Sequence, residues 1–114
     1  MSIAVDLDGT LAYYDHWRGP EHIGEPIQPM MERVRDWLEQ GHEVVIFTAR
    51  ITPHPDFPTE DTARLRDGVR IIQDWLEQHG LPRLRVTNIK DPGMEAIWDD
   101  RAVRVRVNTG LIDR

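Results

Sequence analysis

Apolar residues gather in short runs separated by breaker-rich stretches, and two periods alternate along the chain. Ile3-Ala-Val-Asp-Leu-Asp8 is an apolar run that breaks at Gly9-Thr10, which predicts a buried strand ending in a turn. Residues 12–29 contain Gly19, Pro20, Gly24, Pro26 and Pro29 with several aromatics and keep no period, so they read as a structured loop or small hairpin. From Met30, the positions Met30, Val34, Trp37 and Leu38 follow helical spacing, with Pro29 suited to the first turn and Gly41 to the stop. Glu43 to Thr48 reads as a second buried strand, followed by a loop from Thr52 to Pro58. Thr59 with Glu60 and Asp61 predicts an oxygen cap and two carboxylates at the positive end of a second helix. Leu65, Val69, Ile72, Trp75 and Leu76 face inward on that helix, and Gly80 ends it. Leu84 to Ile89 and Ala96 to Asp99 read as further strands. Val103-Arg-Val-Arg-Val107 alternates strictly, which predicts a strand with one wet face at a sheet edge.

Strand, helix, strand, helix, strand is the pattern of an α/β domain. We expect a three-layer, Rossmann-like parallel sheet of about five strands flanked by helices, with residues 1–114 as one domain. The string Asp-Trp-Leu-Glu-Gln occurs at 36–40 and again at 74–78, but two copies with unmatched flanks do not make a solenoid. Each copy closes an amphipathic helix, so similar packing duties account for both. Trp37, Trp75 and Trp98 read as core.

Composition narrows the class. Charged residues make up 30%, mean hydropathy is −0.53, and no run is apolar enough to span a bilayer. With no secretory pattern at the N-terminus, the expected location is the cytoplasm. Cysteine is absent, which excludes disulfides and thiolate chemistry. The net charge of −6 argues against nonspecific duplex DNA binding but leaves a nucleic-acid end open as a substrate. Of fourteen basic residues, only Lys90 is lysine. The histidines have no ligand spacing, and His54 between two prolines reads as exposed. Arg64, Arg66, Arg70, Arg83 and Arg85 read as a solvated helix face.

In open parallel sheets, ligands collect beyond the carboxyl ends of the strands. There the sequence places Asp6, Asp8, Thr48, Lys90, Asp99 and Asp100, four of them acids. Carboxylates at i and i+2 on one strand share a face and repel one another. A hard, oxygen-seeking ion such as Mg²⁺ relieves that repulsion and commonly binds through carboxylates and substrate phosphate. Lys90 and the Thr48 hydroxyl would complement the remaining phosphate oxygens, and Gly9-Thr10 would turn the backbone and offer amides to an anion. Together these groups describe phosphoryl transfer with a carboxylate nucleophile.

Asp6-Leu-Asp-Gly-Thr-Leu11 resembles the first motif of the haloacid dehalogenase-like (HAD) superfamily. The resemblance continues in that family's order through Ile46-Phe-Thr-Ala-Arg50, Lys90 and Asp99-Asp100, and it spans nearly the whole chain. Ile23-Gly-Glu-Pro-Ile27 and Gly41 to Arg50 resemble small phage and bacterial HAD hydrolases, and Asp99-Asp-Arg101 resembles the phosphatase domain of phage polynucleotide kinases.

The resemblance implies a Mg²⁺-dependent phosphatase acting on a phosphomonoester, either a phosphorylated small molecule or a nucleic-acid end. Asp6 would be the nucleophile and Asp8 the general acid and base. Thr48 and Lys90 would hold phosphoryl oxygens. Mg²⁺ would be held by the Asp6 carboxylate, the Asp8 carbonyl and a late acid, Asp100 directly and Asp99 behind it. Only 37 residues separate Thr10 from Thr48, which leaves no room for the family's cap. Tyr14, Trp17 and Arg50 are then candidate substrate contacts on the open side, with packing and a surface ion pair as their plainer readings. The connection between Lys90 and Asp99 is only eight residues and departs from the family pattern, which puts a helix there. A receiver-like module is disfavoured because its acceptor Asp would sit on the third strand, which has none. A catalytically inactive HAD-like scaffold is the alternative.

Overall fold

The computed structural model describes residues 1–53, 56 and 62–113, the side chains of 62–64 excepted. The elements are β1 (Ser2–Val5), α1 (Gln28–Glu39), β2 (Glu43–Phe47), α2 (Thr62–Gln78), β3 (Val86–Thr87) and β4 (Met94–Trp98). The four strands form one parallel sheet in the order β3-β2-β1-β4. The cap expected from Thr59, Glu60 and Asp61, and the exposure expected of His54, fall outside the described residues.

β1 is buried along its whole length and β2 through Val44, Val45 and Ile46, which is why both read as unbroken apolar runs rather than alternations. α1 begins at Gln28 with Pro29 in its first turn and buries Met31 and Val34. α2 buries Ile72, Trp75 and Leu76 against the same core, with Leu65 and Val69 half-buried. Fully burying each such side chain contributes about 1.5–3 kcal/mol. The two copies of the repeated string do different work. Trp37 is half-buried with its ring centroid 5.2 Å from that of Trp98, whereas Trp75 is buried and donates Nε1–H to the Gly24 carbonyl at 3.1 Å.

That last bond ties down the segment between β1 and α1. Its neck is a short ladder: Ile27 N donates to Leu11 O and Tyr13 N to Glu25 O, both at 2.8 Å, with Ala12 bridging Pro26. A Cβ on Gly24 would lie 2.0 Å from the Tyr13 carbonyl oxygen, so only glycine lets the two backbones approach this closely.

Two expectations need correction. Val103 to Val107 is not a sheet strand. It folds back in a hairpin of its own through a turn at 108–110, with a Val105–Ile112 bridge and bonds from Arg106 N to Leu111 O and Asp113 N to Arg104 O, both 2.8 Å. Val103, Val105 and Val107 are 66%, 52% and 80% exposed. Alternation marks a two-faced ribbon but does not name its partner, and here the partner is local. The sheet therefore has four strands among the described residues, not about five. The third strand also shrinks from Leu84–Ile89 to two residues, with Ile89 66% exposed. Residues 88–93 then join β3 to β4, which lie at opposite edges of the sheet.

The arginines of the solvated face at 70, 83 and 85 pair with acidic neighbours. Arg83 pairs with Asp74 at 2.7 Å and Glu77 at 3.3 Å, Arg70 with Asp67 and Asp74, and Arg85 with Glu43 and Asp91. No described helix is long and apolar enough to cross a membrane.

Candidate active site

Strand register builds the site. β1 pairs β2 with Val5 opposite Ile46 and pairs β4 with Val5 opposite Trp98. Asp6 N donates to Trp98 O at 2.9 Å, so the chain leaves β1 at Asp6 beside the point where β4 ends in Asp99-Asp100. A register shift between Ser2 and Ile3 puts one extra residue into β4, and the pairing beyond that bulge sets Asp6 level with Asp99. One carboxylate oxygen from each of Asp6, Asp99 and Asp100 then lies within 4.8 Å of the others.

Asp6 is half-buried while Asp99 and Asp100 are exposed. Burial pushes the Asp6 carboxyl up to about 7, with the charges of Asp99 and Asp100 and a hydrogen bond to Asp100 adding to the effect. Thr10 braces the cluster. Its hydroxyl accepts from Asp100 N at 3.0 Å and lies 3.2 Å from Asp100 Oδ1 and 3.4 Å from Asp6 Oδ2. Asp99 Oδ1 accepts from Arg101 N at 2.7 Å. Gly9 makes the approach of Asp100 sterically feasible: its φ is +88°, and a Cβ there would sit 2.6 Å from Asp100 Oδ2. The Gly9 and Thr10 amides, expected to face an anion, instead close the turn, donating to Ala12 O at 2.8 Å and Leu7 O at 3.3 Å.

A cleft opens over these groups, lined by Asp6, Asp8, Tyr14, Trp17, Thr48, Arg50, Asp99, Asp100 and Arg101, with Phe47 and Ala49. Thr48 is buried; its Oγ1 accepts from Arg50 N at 3.1 Å, a bond that leaves the hydroxyl proton available to a ligand. Asp8 stands apart from the acid cluster. Its carboxylate is gripped by Arg50, with Nε to Oδ2 at 2.7 Å and Nη2 to Oδ1 at 2.8 Å. Of the two readings of Arg50, substrate contact or ion pair, the side chain makes the ion pair.

Lys90 is exposed and does not line the cleft. The segment that carries it starts its crossing to β4 directly after the two-residue β3. Arg101 lines the cleft as well, a site residue that spacing alone does not mark; its place in the string Asp99-Asp-Arg101 is the signal that does. Nothing in spacing could have revealed the Asp8–Arg50 pair, whose members are 42 positions apart.

The residues fit a divalent cation. Three carboxylate oxygens share one small space, every donor is a hard oxygen, and Asp6 resists ionisation in the absence of positive charge. A search against protein-family models found no match, and neither did one of the curated proteins. Among solved structures, the chain is similar to a conserved protein of Bacteroides thetaiotaomicron. The TM-score is 0.58 at 24% identity, over 90% of this chain and 78% of the other, a likeness that extends to the fold alone.

Proposed function

We propose that the protein is a Mg²⁺-dependent phosphatase of the HAD-like type, with that family's three-layer arrangement, and that it hydrolyses a phosphomonoester through an aspartyl-phosphate. The observation that carries this reading is the meeting of Asp6, Asp99 and Asp100 at the carboxyl ends of adjacent parallel strands, with the Thr48 hydroxyl lining the same cleft.

Asp6 attacks phosphorus, and the bond from phosphorus to the leaving oxygen breaks as Asp8 gives that oxygen its proton. A water then attacks phosphorus, its proton passes to Asp8, and inorganic phosphate leaves with Asp6 restored. Thr48 donates to a phosphoryl oxygen, whereas Lys90 lies outside the cleft. Asp6, Asp99 and Asp100 would hold Mg²⁺, which offsets their mutual repulsion and the negative charge of the phosphate. Tyr14, Trp17 and Arg101 wall the open side, which suits the phosphate of a small molecule or a nucleic-acid end.

Hydrolysis of p-nitrophenyl phosphate with and without Mg²⁺ tests the reading. Activity should need the metal and fall by at least about 10³-fold in Asp6→Asn, since the covalent route is lost. Equal rates in the two proteins, or indifference to chelator, would sink it. A non-catalytic HAD-like binding scaffold is the second reading, favoured by the closed Asp8–Arg50 pair and by Lys90 outside the cleft. Metal binding without turnover would support it.

A further inference from the structure

Arg50 belongs to a one-turn 3₁₀ segment, Ala49–Ile51, which Thr48 caps. Its side chain is only 7% exposed. Burying an unpaired guanidinium is costly, and this one makes four hydrogen bonds and a ring contact. Beyond the fork onto Asp8, Nη2 donates to His22 O at 2.8 Å, Nη1 donates to Pro20 O at 3.3 Å, and the group lies 4.9 Å from the centroid of the Trp17 ring. A planar cation bonded to both oxygens of a carboxylate fixes its plane as well as its position, which a lysine ammonium cannot do. The two carbonyls and Trp17 belong to the segment whose residues Tyr14 and Trp17 wall the cleft. One side chain therefore holds the carboxylate and that wall together.

We propose that Arg50 is a positioning residue: it sets the Asp8 carboxylate and the 14–22 wall as one unit, so that neither reaches its working place without the other. The inference rests on Asp8 acting as the acid and base of the proposed phosphatase. Arg50 itself exchanges no proton and forms no bond to phosphorus. Each Asp8 oxygen has more than one acceptor site, so the fork orients the group without exhausting it.

The test uses Arg50→Lys, Arg50→Gln and Asp8→Asn in the full chain, with two substrates. Nitrophenolate leaves phosphorus with little help from a proton, whereas the alcohol of glycerol 2-phosphate needs one. In Arg50→Lys, kcat/KM for glycerol 2-phosphate should fall about 100-fold and that for p-nitrophenyl phosphate less than about tenfold, because kcat/KM reports the transfer to Asp6, where only the alcohol needs the Asp8 proton, and not the later hydrolysis that both substrates share. Amide hydrogen exchange across 14–22 should quicken by about tenfold or more in Arg50→Gln and in Asp8→Asn. The double variant should be no faster than the singles, because each breaks the same clamp. Equal losses on the two substrates, or unchanged exchange at 14–22, would overturn the proposal. A native protein inactive on both substrates defeats the phosphatase reading, while the exchange measurement, which needs no turnover, still decides the clamp.

Discussion

Asp6 and Asp8 are two positions apart and chemically identical, yet the fold gives them opposite surroundings. Asp6 faces two further carboxylates and is pushed up to about 7, while Asp8 faces a buried guanidinium. The difference has a pH signature. In the unfolded chain the Asp6 carboxyl titrates near 3.8, so the folded protein holds that proton more tightly. Its contribution to stability is fully present below about pH 3.8 and is lost as pH rises through about 7. In chelator, the melting temperature of the native protein should therefore drop across that window relative to Asp6→Asn, which lacks the titration. Mg²⁺ competes with the proton for the same oxygens, so it should raise the melting temperature more at about pH 8 than at about pH 5.5. Equal shifts at the two pH values would contradict a cation site built on Asp6.

At the scale of elements, the strands and helices were readable because β1 and β2 carry unbroken apolar runs, Ile3–Val5 and Val44–Phe47, and both helices carry one apolar stripe. Ends were less legible. β3 is shorter than its apolar run because Leu84 is buried without being in the sheet, so apolar character alone does not mark where pairing stops. The segment between β1 and α1 has no period because its order comes from tethers: the neck at 11–13 and 25–27, Arg50, and the Trp75 indole. Trp75→Phe removes one of these tethers and also puts a smaller ring into a buried site. It should cost about 2–3 kcal/mol in denaturant unfolding, about 1 of it from the lost hydrogen bond, with the loss of protection concentrated at 13–25. A loss spread evenly over α2 instead would mean that Trp75 acts through the core rather than through Gly24.

For the whole molecule, the sheet carries the buried core and the hairpin of residues 103–113 stands outside it. The side chains of Val105 and Ile112 are 52% exposed, so neither belongs to the core. Replacing each with threonine should change unfolding free energy by no more than about 0.5 kcal/mol. An edge strand with a buried face would lose more, and a larger loss would return this segment to the sheet.

The sequence by itself determined the parallel α/β plan, the helix faces and the rim on which Asp6, Thr48, Asp99 and Asp100 meet. These follow from local period and from the rule that strands of a parallel sheet end on one side. Only the tertiary structure decided the partners. The bulge in β4 that sets Asp6 level with Asp99, the contact between Gly9 and Asp100, and the grip of Arg50 on Asp8 all join residues more than forty positions apart. Register and side-chain pairing are won by competition among long-range alternatives, and no local period encodes that outcome.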